Sequence, residues 1–99
     1  MKIIKSIYFQ IISFSNLQIK KMHLEIITPE KKIYTGDVSM VNLPGSDGSF
    51  GILENHAPII STLKKGVIKI TELNQIEKSF EVNGGVIEMS KNNIIVLAE

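Results

Sequence analysis

The sequence contains no cysteine, no arginine and no tryptophan. The absence of cysteine excludes disulfide bonds, thiolate metal ligands and a cysteine nucleophile. Because all 11 basic residues are lysine, no guanidinium group can clamp phosphate or guanine in a bidentate manner. Nucleotide chemistry and base readout are therefore disfavoured, and no nucleic-acid partner is expected.

Length and charge indicate one small domain with an unusual beginning. The chain has 99 residues, 43% of them hydrophobic, which suits a single globular domain. Residues 1–21 carry four lysines and no acidic residue, whereas residues 22–99 carry seven lysines and ten acidic residues. The larger part is therefore mildly acidic, which also argues against a nucleic-acid binder.

Residues 1–21 are interpreted as an N-terminal extension, and residues 22–99 as the folded domain. A basic start followed by a partly apolar run, Ile7–Phe14, resembles a weak signal peptide, but the small residues of a cleavage site are missing. The run is too short for a transmembrane helix. The main interpretations are translation upstream of a true start at Met22, and an amphipathic or disordered extension lying on a surface such as an anionic membrane; a cleaved signal is the third alternative.

Short runs with strand character follow Met22, separated by turn-forming residues at intervals of about eight to twelve residues. This spacing predicts an all-β sandwich or flattened barrel. The predicted strands are Met22–Thr28, Lys32–Tyr34, Val38–Leu43, Ser49–Leu53, Ile59–Leu63, Val67–Leu73, Ile76–Val82, Val86–Met89 and Asn93–Ala98.

Turns are predicted at Thr35–Asp37, at Asn83–Gly85 and at Lys91-Asn92, and Pro44-Gly45 is expected to end a strand. The last strand, Asn93–Ala98, is almost entirely apolar, so both of its faces are expected to be buried.

Residues that could carry chemistry are few. The spacing G-x-x-G-x-x-G at Gly45, Gly48 and Gly51 fits neither a P-loop nor a dinucleotide-binding fingerprint, and predicts a tight loop. The only other histidine in the sequence, His23, is far from His56 along the chain, so the two do not predict a metal site. Asp47 and Glu54 flank this loop, and two carboxylates are what a glycosidase uses, but a solvated loop is the simpler interpretation. The residues therefore favour an interaction module over a catalyst, with no cofactor.

Several segments together resemble the epsilon subunit of bacterial and plastid ATP synthases, called delta in mitochondria. The main one is VNLPGSDGSFGILENHAP at Val41–Pro58. Three more agree in order and spacing: Leu24–Val38, the run LKKGVIKI at Leu63–Ile70, and GGVIEM at Gly84–Met89 followed by Asn92–Ala98. Each segment alone is weak, but together they cover nearly all of residues 22–99.

The resemblance implies a β-sandwich of about ten strands and a non-catalytic role in the rotor. In that family the domain sits at the foot of the central stalk, binds the gamma subunit and rests on the ring of c subunits. Contact with the alpha–beta catalytic head is then made through gamma. The resemblance places the chain peripherally on the cytoplasmic face of the bacterial inner membrane, with the stromal face of the plastid thylakoid as the alternative.

The resemblance also implies which residues face the c ring. Ser49 stands where some relatives carry an acid, so a charge-based contact is not expected there. His56 is expected beside the same end of the domain. The implied partner-binding residues are Pro44, Gly45, Ser46, Asp47, Gly48, Ser49, Phe50, Gly51 and His56.

Many members of the family continue into two C-terminal helices, which in some cases bind ATP or inhibit hydrolysis. The sequence stops at Glu99. The expectation is therefore a domain without the helical part and without a nucleotide site.

Other function classes compete with this interpretation. A stand-alone binding or adaptor module needs an exposed aromatic platform, and the sequence offers two tyrosines and four phenylalanines. A swinging-arm carrier presents a lysine at a hairpin tip, whereas the best predicted tip here is Asn74-Gln75. A small hydrolase is disfavoured by the absent catalytic constellation.

Overall fold

The computed structural model describes residues 21–99, and every regular element in that part of the chain is a β-strand. The predictions for the N-terminal extension therefore fall, apart from Lys21, outside the described residues. The eight strands found in residues 21–99 are β1 (Met22–Ile27), β2 (Lys32–Gly45), β3 (Gly48–Leu53), β4 (Ile59–Leu63), β5 (Gly66–Glu72), β6 (Glu77–Val82), β7 (Gly85–Ser90) and β8 (Asn93–Ala98).

The strands form one sheet that closes on itself. The hydrogen-bonded order is β1-β8-β7-β4-β2-β5-β6, with β3 on β2, and an additional β1–β2 pairing completes the circuit. All neighbours are antiparallel except β1 and β8, which run parallel. The predicted all-β sandwich or flattened barrel is confirmed, with eight strands rather than ten.

The core is filled by side chains from alternate residues of the strands, which point inward. In β1 the buried positions are Met22, Leu24 and Ile26, and in β8 they are Ile94, Val96 and Ala98. This alternation is what a strand with one buried face requires. No polar or charged residue among residues 21–99 is buried, so the core is held by apolar packing.

The long strand β2 corrects two predictions. The predicted turn at Thr35–Asp37 is regular strand, because these residues pair with Glu25, Leu24 and His23 of β1. Pro44 and Gly45 are the last two residues of β2, so the strand ends at Gly45 and not before Pro44. The carbonyl of Pro44 faces the β4–β5 side, where it accepts the Lys64 N–H at 2.8 Å, so the missing proline N–H takes no bond from the β2–β3 ladder.

The predicted turn at Lys91-Asn92 is present. Both residues have positive φ, 52° and 63°, as in a two-residue hairpin turn that matches the twist of the strands. The Asn83–Gly85 segment connects β6 to β7, which do not pair with each other, so it is a corner rather than a hairpin. Gly84 and Gly85 have φ of 142° and 148°, which side chains strongly disfavour.

The prediction that both faces of the last strand are buried is wrong. Ile95 and Leu97 of β8 are exposed, while Ile94 and Val96 are buried. The reason is that the sheet closes around one core, so each strand of β8, β7 and β4 has a single inward face.

Candidate interaction surfaces

The glycine-rich segment Pro44–Gly51 is a β-hairpin rather than an irregular loop. Gly45 pairs with Gly48 across the two turn residues, Ser46 and Asp47. Gly48 has a φ of 133°, and its position is open to solvent. Gly45 is required for space, because a Cβ there would lie 2.7 Å from the Phe50 ring.

The tip of this hairpin is fastened to the end of β4 and the turn that follows it. The Ser46 N–H donates to the Thr62 carbonyl at 3.0 Å, and the Thr62 hydroxyl donates to the Ser46 hydroxyl at 2.8 Å. Gly66 packs against Pro44 so closely that a Cβ would meet the proline Cβ at 2.7 Å. The tip is therefore an ordered projection of the barrel.

Of the residues predicted to face a partner, the hairpin brings eight together. Pro44 and Gly45 are buried and support the tip, and Phe50 is half-buried against the core. The remaining five hairpin residues are exposed and available for contact: Ser46, Asp47, Gly48, Ser49 and Gly51.

His56 lies elsewhere, contrary to its expected place beside the hairpin tip. It follows β3 at the end opposite the tip, so the length of that strand, roughly 17 Å at about 3.3 Å per residue, separates the two. Its N–H donates to the Leu53 carbonyl at 3.2 Å, and its Nδ1 lies 2.7 Å from the Ala57 carbonyl. Glu54 is at this same end, so it is not paired with Asp47.

A second surface, whose residues the sequence does not identify, covers the outside of β4, β7 and β8. Ile60 is 75% exposed and Leu97 55% exposed, and Val86 and Ile95 are exposed beside them. Val86 and Leu97 are direct cross-strand partners, and Ile60 and Ile95 both pair with Glu88 in the next row. These four apolar residues, Ile60, Val86, Ile95 and Leu97, define the apolar outer face. Its signal in the sequence was the excess of apolar residues over the inward positions of Asn93–Ala98.

Glu88 lies in the middle of the apolar outer face. No ion pair within residues 21–99 includes it. A carboxylate flanked by the exposed aliphatic side chains of Ile60 and Ile95 is suited to a partner surface that is mainly apolar and carries a basic side chain.

A polar cluster fastens the first half of β2 to the β5–β6 hairpin. The Tyr34 hydroxyl donates to the Glu72 carboxylate at 2.6 Å, and Lys78 Nζ lies 3.3 Å from the same carboxylate. Burial, and then the bond to Glu72, raise the pKa of Tyr34 to about 12. The Tyr34 hydrogen bond lowers the pKa of Glu72, and Lys78 adds to this. The cluster is structural, since Tyr34 also packs on Phe80 with ring centroids 5.3 Å apart.

Within residues 21–99 no group of three or more metal-ligating side chains is placed to hold an ion. The search for a helix long and apolar enough to cross a membrane found none in this part of the chain. The hairpin tip and the apolar outer face are exposed and have the character of binding surfaces.

Comparison with known proteins agrees with this architecture. Residues 21–99 match the family described as "ATP synthase, Delta/Epsilon chain, beta-sandwich domain". The chain belongs to this family. The ATP synthase epsilon chain of Campylobacter curvus is 43% identical over 79 residues, covering 80% of this chain and 61% of its own length. That of Caulobacter vibrioides is 35% identical over 79 residues, covering 80% of this chain and 91% of its own length.

Solved structures share the fold at low sequence identity. A chain in the structure of the Euglena gracilis mitochondrial ATP synthase, OSCP/F1/c-ring, matches with a TM-score of 0.75 at 14% identity, over 79% of this chain and 50% of that chain. A chain in the Tetrahymena thermophila mitochondrial ATP synthase central stalk/c-ring structure matches with a TM-score of 0.64 at 20% identity, over 83% and 66%. This family member spans about three fifths of the length of the Campylobacter curvus relative.

Proposed function

We propose that this family member is a central-stalk subunit of a rotary ATP synthase that joins the gamma subunit to the ring of c subunits. It takes part in coupling ion translocation to ATP synthesis and performs no bond chemistry of its own. Membership of the delta/epsilon family and fold similarity to chains of a central stalk/c-ring structure support this role.

The observation that carries the proposal is the apolar outer face. Exposed side chains scattered singly need no explanation, but Ile60, Val86, Ile95 and Leu97 lie together on adjoining strands. Exposure of such a patch to water is unfavourable, and covering it with another protein lowers the free energy. We assign this face to the gamma subunit, with a basic gamma residue opposite Glu88.

The hairpin tip is assigned to the c ring. Its exposed residues carry a single charged group, Asp47, so contact there rests on hydrogen bonds and shape. These two surfaces give the domain one partner on each, with the alpha–beta head reached through gamma. A peripheral position on the cytoplasmic face of the bacterial inner membrane, or the stromal face of the thylakoid, follows from these partners.

The test is a pull-down of the tagged full chain from the membrane fraction of its source, with the bound proteins identified by mass spectrometry. Gamma is expected in the eluate together with c and the alpha–beta head. A protein that stays monomeric and recovers none of them would contradict the proposal and favour a stand-alone binding module.

A matched pair of variants tests the assignment of the faces. Ile60→Ser combined with Leu97→Ser changes only exposed side chains, and should lower gamma recovery at least about tenfold, since buried apolar anchors dominate interface energetics. Val67→Ser, an exposed apolar position on β5 outside this face, should leave recovery unchanged. Equal loss with both variants would contradict the assignment.

A further inference from the structure

The hydrogen-bond pattern of the β2–β3 ladder determines which backbone groups of β3 face away from β2. The Pro44 carbonyl points to the β4–β5 side of β2, where it accepts the Lys64 N–H. Backbone groups in an antiparallel pair alternate between facing and avoiding the partner strand. The backbone N–H and C=O groups of Leu43 therefore face β3, and those of its partner Phe50 face β2.

The intervening β3 residues, Ser49, Gly51 and Leu53, consequently turn their N–H and C=O groups away from β2. A separate observation agrees: the Leu53 carbonyl is bonded to the His56 N–H, outside the β2–β3 ladder. Within residues 21–99, β3 pairs with β2 alone. Three N–H groups and the carbonyls of Ser49 and Gly51 thus form an edge without a strand partner in the described part of the chain.

The edge of β3 also lacks the usual protection against strand pairing. Exposed edges are normally guarded by charged residues, proline or bulges. The other end of the sheet, β6, follows this rule with Glu77, Lys78 and Glu81 among its six residues. Gly48–Leu53 contains no charged residue and no proline, and pairs with β2 in unbroken register.

The side chains beside this edge leave room for an incoming backbone. Gly51 carries none, and the space a Cβ would take is closed by Asn42 Oδ1 at 2.9 Å. Leu53 is 59% exposed at the end of the strand and offers an apolar contact. An added strand would be specified by an uncharged side chain beside Gly51 and an apolar one beside Leu53.

We propose that the outer edge of β3 is a strand-addition site that pairs, in the assembled synthase, with an extended uncharged segment of another subunit. The proposal rests on the proposed function, because it names a mode of contact for the same hairpin. The uncharged edge favours an uncharged occupant, since a charged segment would be desolvated there without a counter-ion.

Hydrogen–deuterium exchange of the full chain, free and within the purified synthase, reads these groups directly. The amides of Ser49, Gly51 and Leu53 should exchange at nearly unprotected rates in the free chain and at least about 100-fold more slowly in the complex. The amides of Phe50 and Ile52, bonded to β2, should be protected in both states and serve as the internal control.

The outcomes separate this proposal from the proposed function. Absence of the chain from the purified synthase would contradict the function. Its presence with the three amides still unprotected would overturn strand addition alone. Protection already seen in the free chain would also overturn it: dependence on concentration would identify a second copy as the occupant, and loss of protection when residues 1–20 are removed would identify that segment.

A substitution provides a second measurement. Ser49→Pro removes an outward N–H and blocks the edge without taking a bond from the β2–β3 ladder. Ser49→Ala keeps the N–H and is the matched control. Because both variants lose the Ser49 hydroxyl, rebinding to synthase stripped of this chain should be at least about tenfold weaker for the proline variant than for the alanine variant. Equal affinities of two folded variants would overturn the proposal.

Discussion

The Gly85→Ala substitution tests how tightly the β6–β7 corner is built. Gly85 has a φ of 148°, in a region essentially reserved for glycine, so a side chain there costs roughly 1–3 kcal/mol in backbone strain. An added Cβ would also collide with the Leu97 carbonyl oxygen and lie 3.0 Å from the Ala98 Cα. Both are backbone atoms of a paired strand, so they can move only by opening the β7–β8 ladder. Forced overpacking of this kind adds about 1–3 kcal/mol.

The matched control is Gly48→Ala. Gly48 has a comparable φ of 133° but nothing within 4 Å of its Cβ position, so it carries the strain without the clash. The free energy of unfolding, measured with urea, should fall by about 1–3 kcal/mol for Gly48→Ala and by roughly 1–3 kcal/mol more for Gly85→Ala. At about 4–8 °C per kcal/mol, thermal melts should separate the two variants clearly. Equal destabilisation would refute the argument that the close approach of β8 restricts this corner.

Other expectations concern the core and the polar cluster. Ile87→Ala, fully buried on β7, should lower the free energy of unfolding by about 2–5 kcal/mol, whereas Ile95→Ala on the apolar outer face should cost far less; urea titrations of both check this. Tyr34 has a raised folded pKa, so its contribution is complete below the ordinary value of 10.0 and is lost as pH rises towards about 12. Thermal melts between these pH values should lose stability in the parent chain more steeply than in Tyr34→Phe. Because the pKa of Glu72 is lowered, its contribution is present above its unfolded value and is lost as acid protonates it, which melts at falling pH should detect.

Strand positions and the fold class could be predicted because they depend on local alternation and turn residues. Asn93–Ala98 was predicted with the bounds it has, and the Lys91-Asn92 turn was placed correctly. The continuity of β2 could not be read locally. Glycine is typical of turns, so Gly36 predicts one locally. Its pairing with Leu24, twelve residues earlier in the chain, holds it in a strand instead.

The candidate surfaces were less predictable than the fold. The motif resemblance predicts the hairpin residues as partner-binding, and the structure brings these residues together, whereas His56 lies at the other end of β3. The residues of the apolar outer face could not be named from the sequence, because an apolar run looks the same whether its second face meets a core or a partner. The open edge of β3 depends on which backbone groups face β2, a matter of ladder register that side-chain chemistry does not encode.

Strand β4 joins the two surfaces mechanically. Its last residue, Leu63, pairs with Gly45 at the base of the hairpin tip, and the preceding Thr62 is hydrogen-bonded to Ser46. Ile60, on the same strand, belongs to the apolar outer face, and β4 is paired with β7 along its whole length. A load applied at the tip therefore passes into a closed, hydrogen-bonded barrel instead of bending a free loop. Under the proposed function, torque taken on one surface is delivered on the other, and this requires the stiffness that β4 provides by carrying both surfaces.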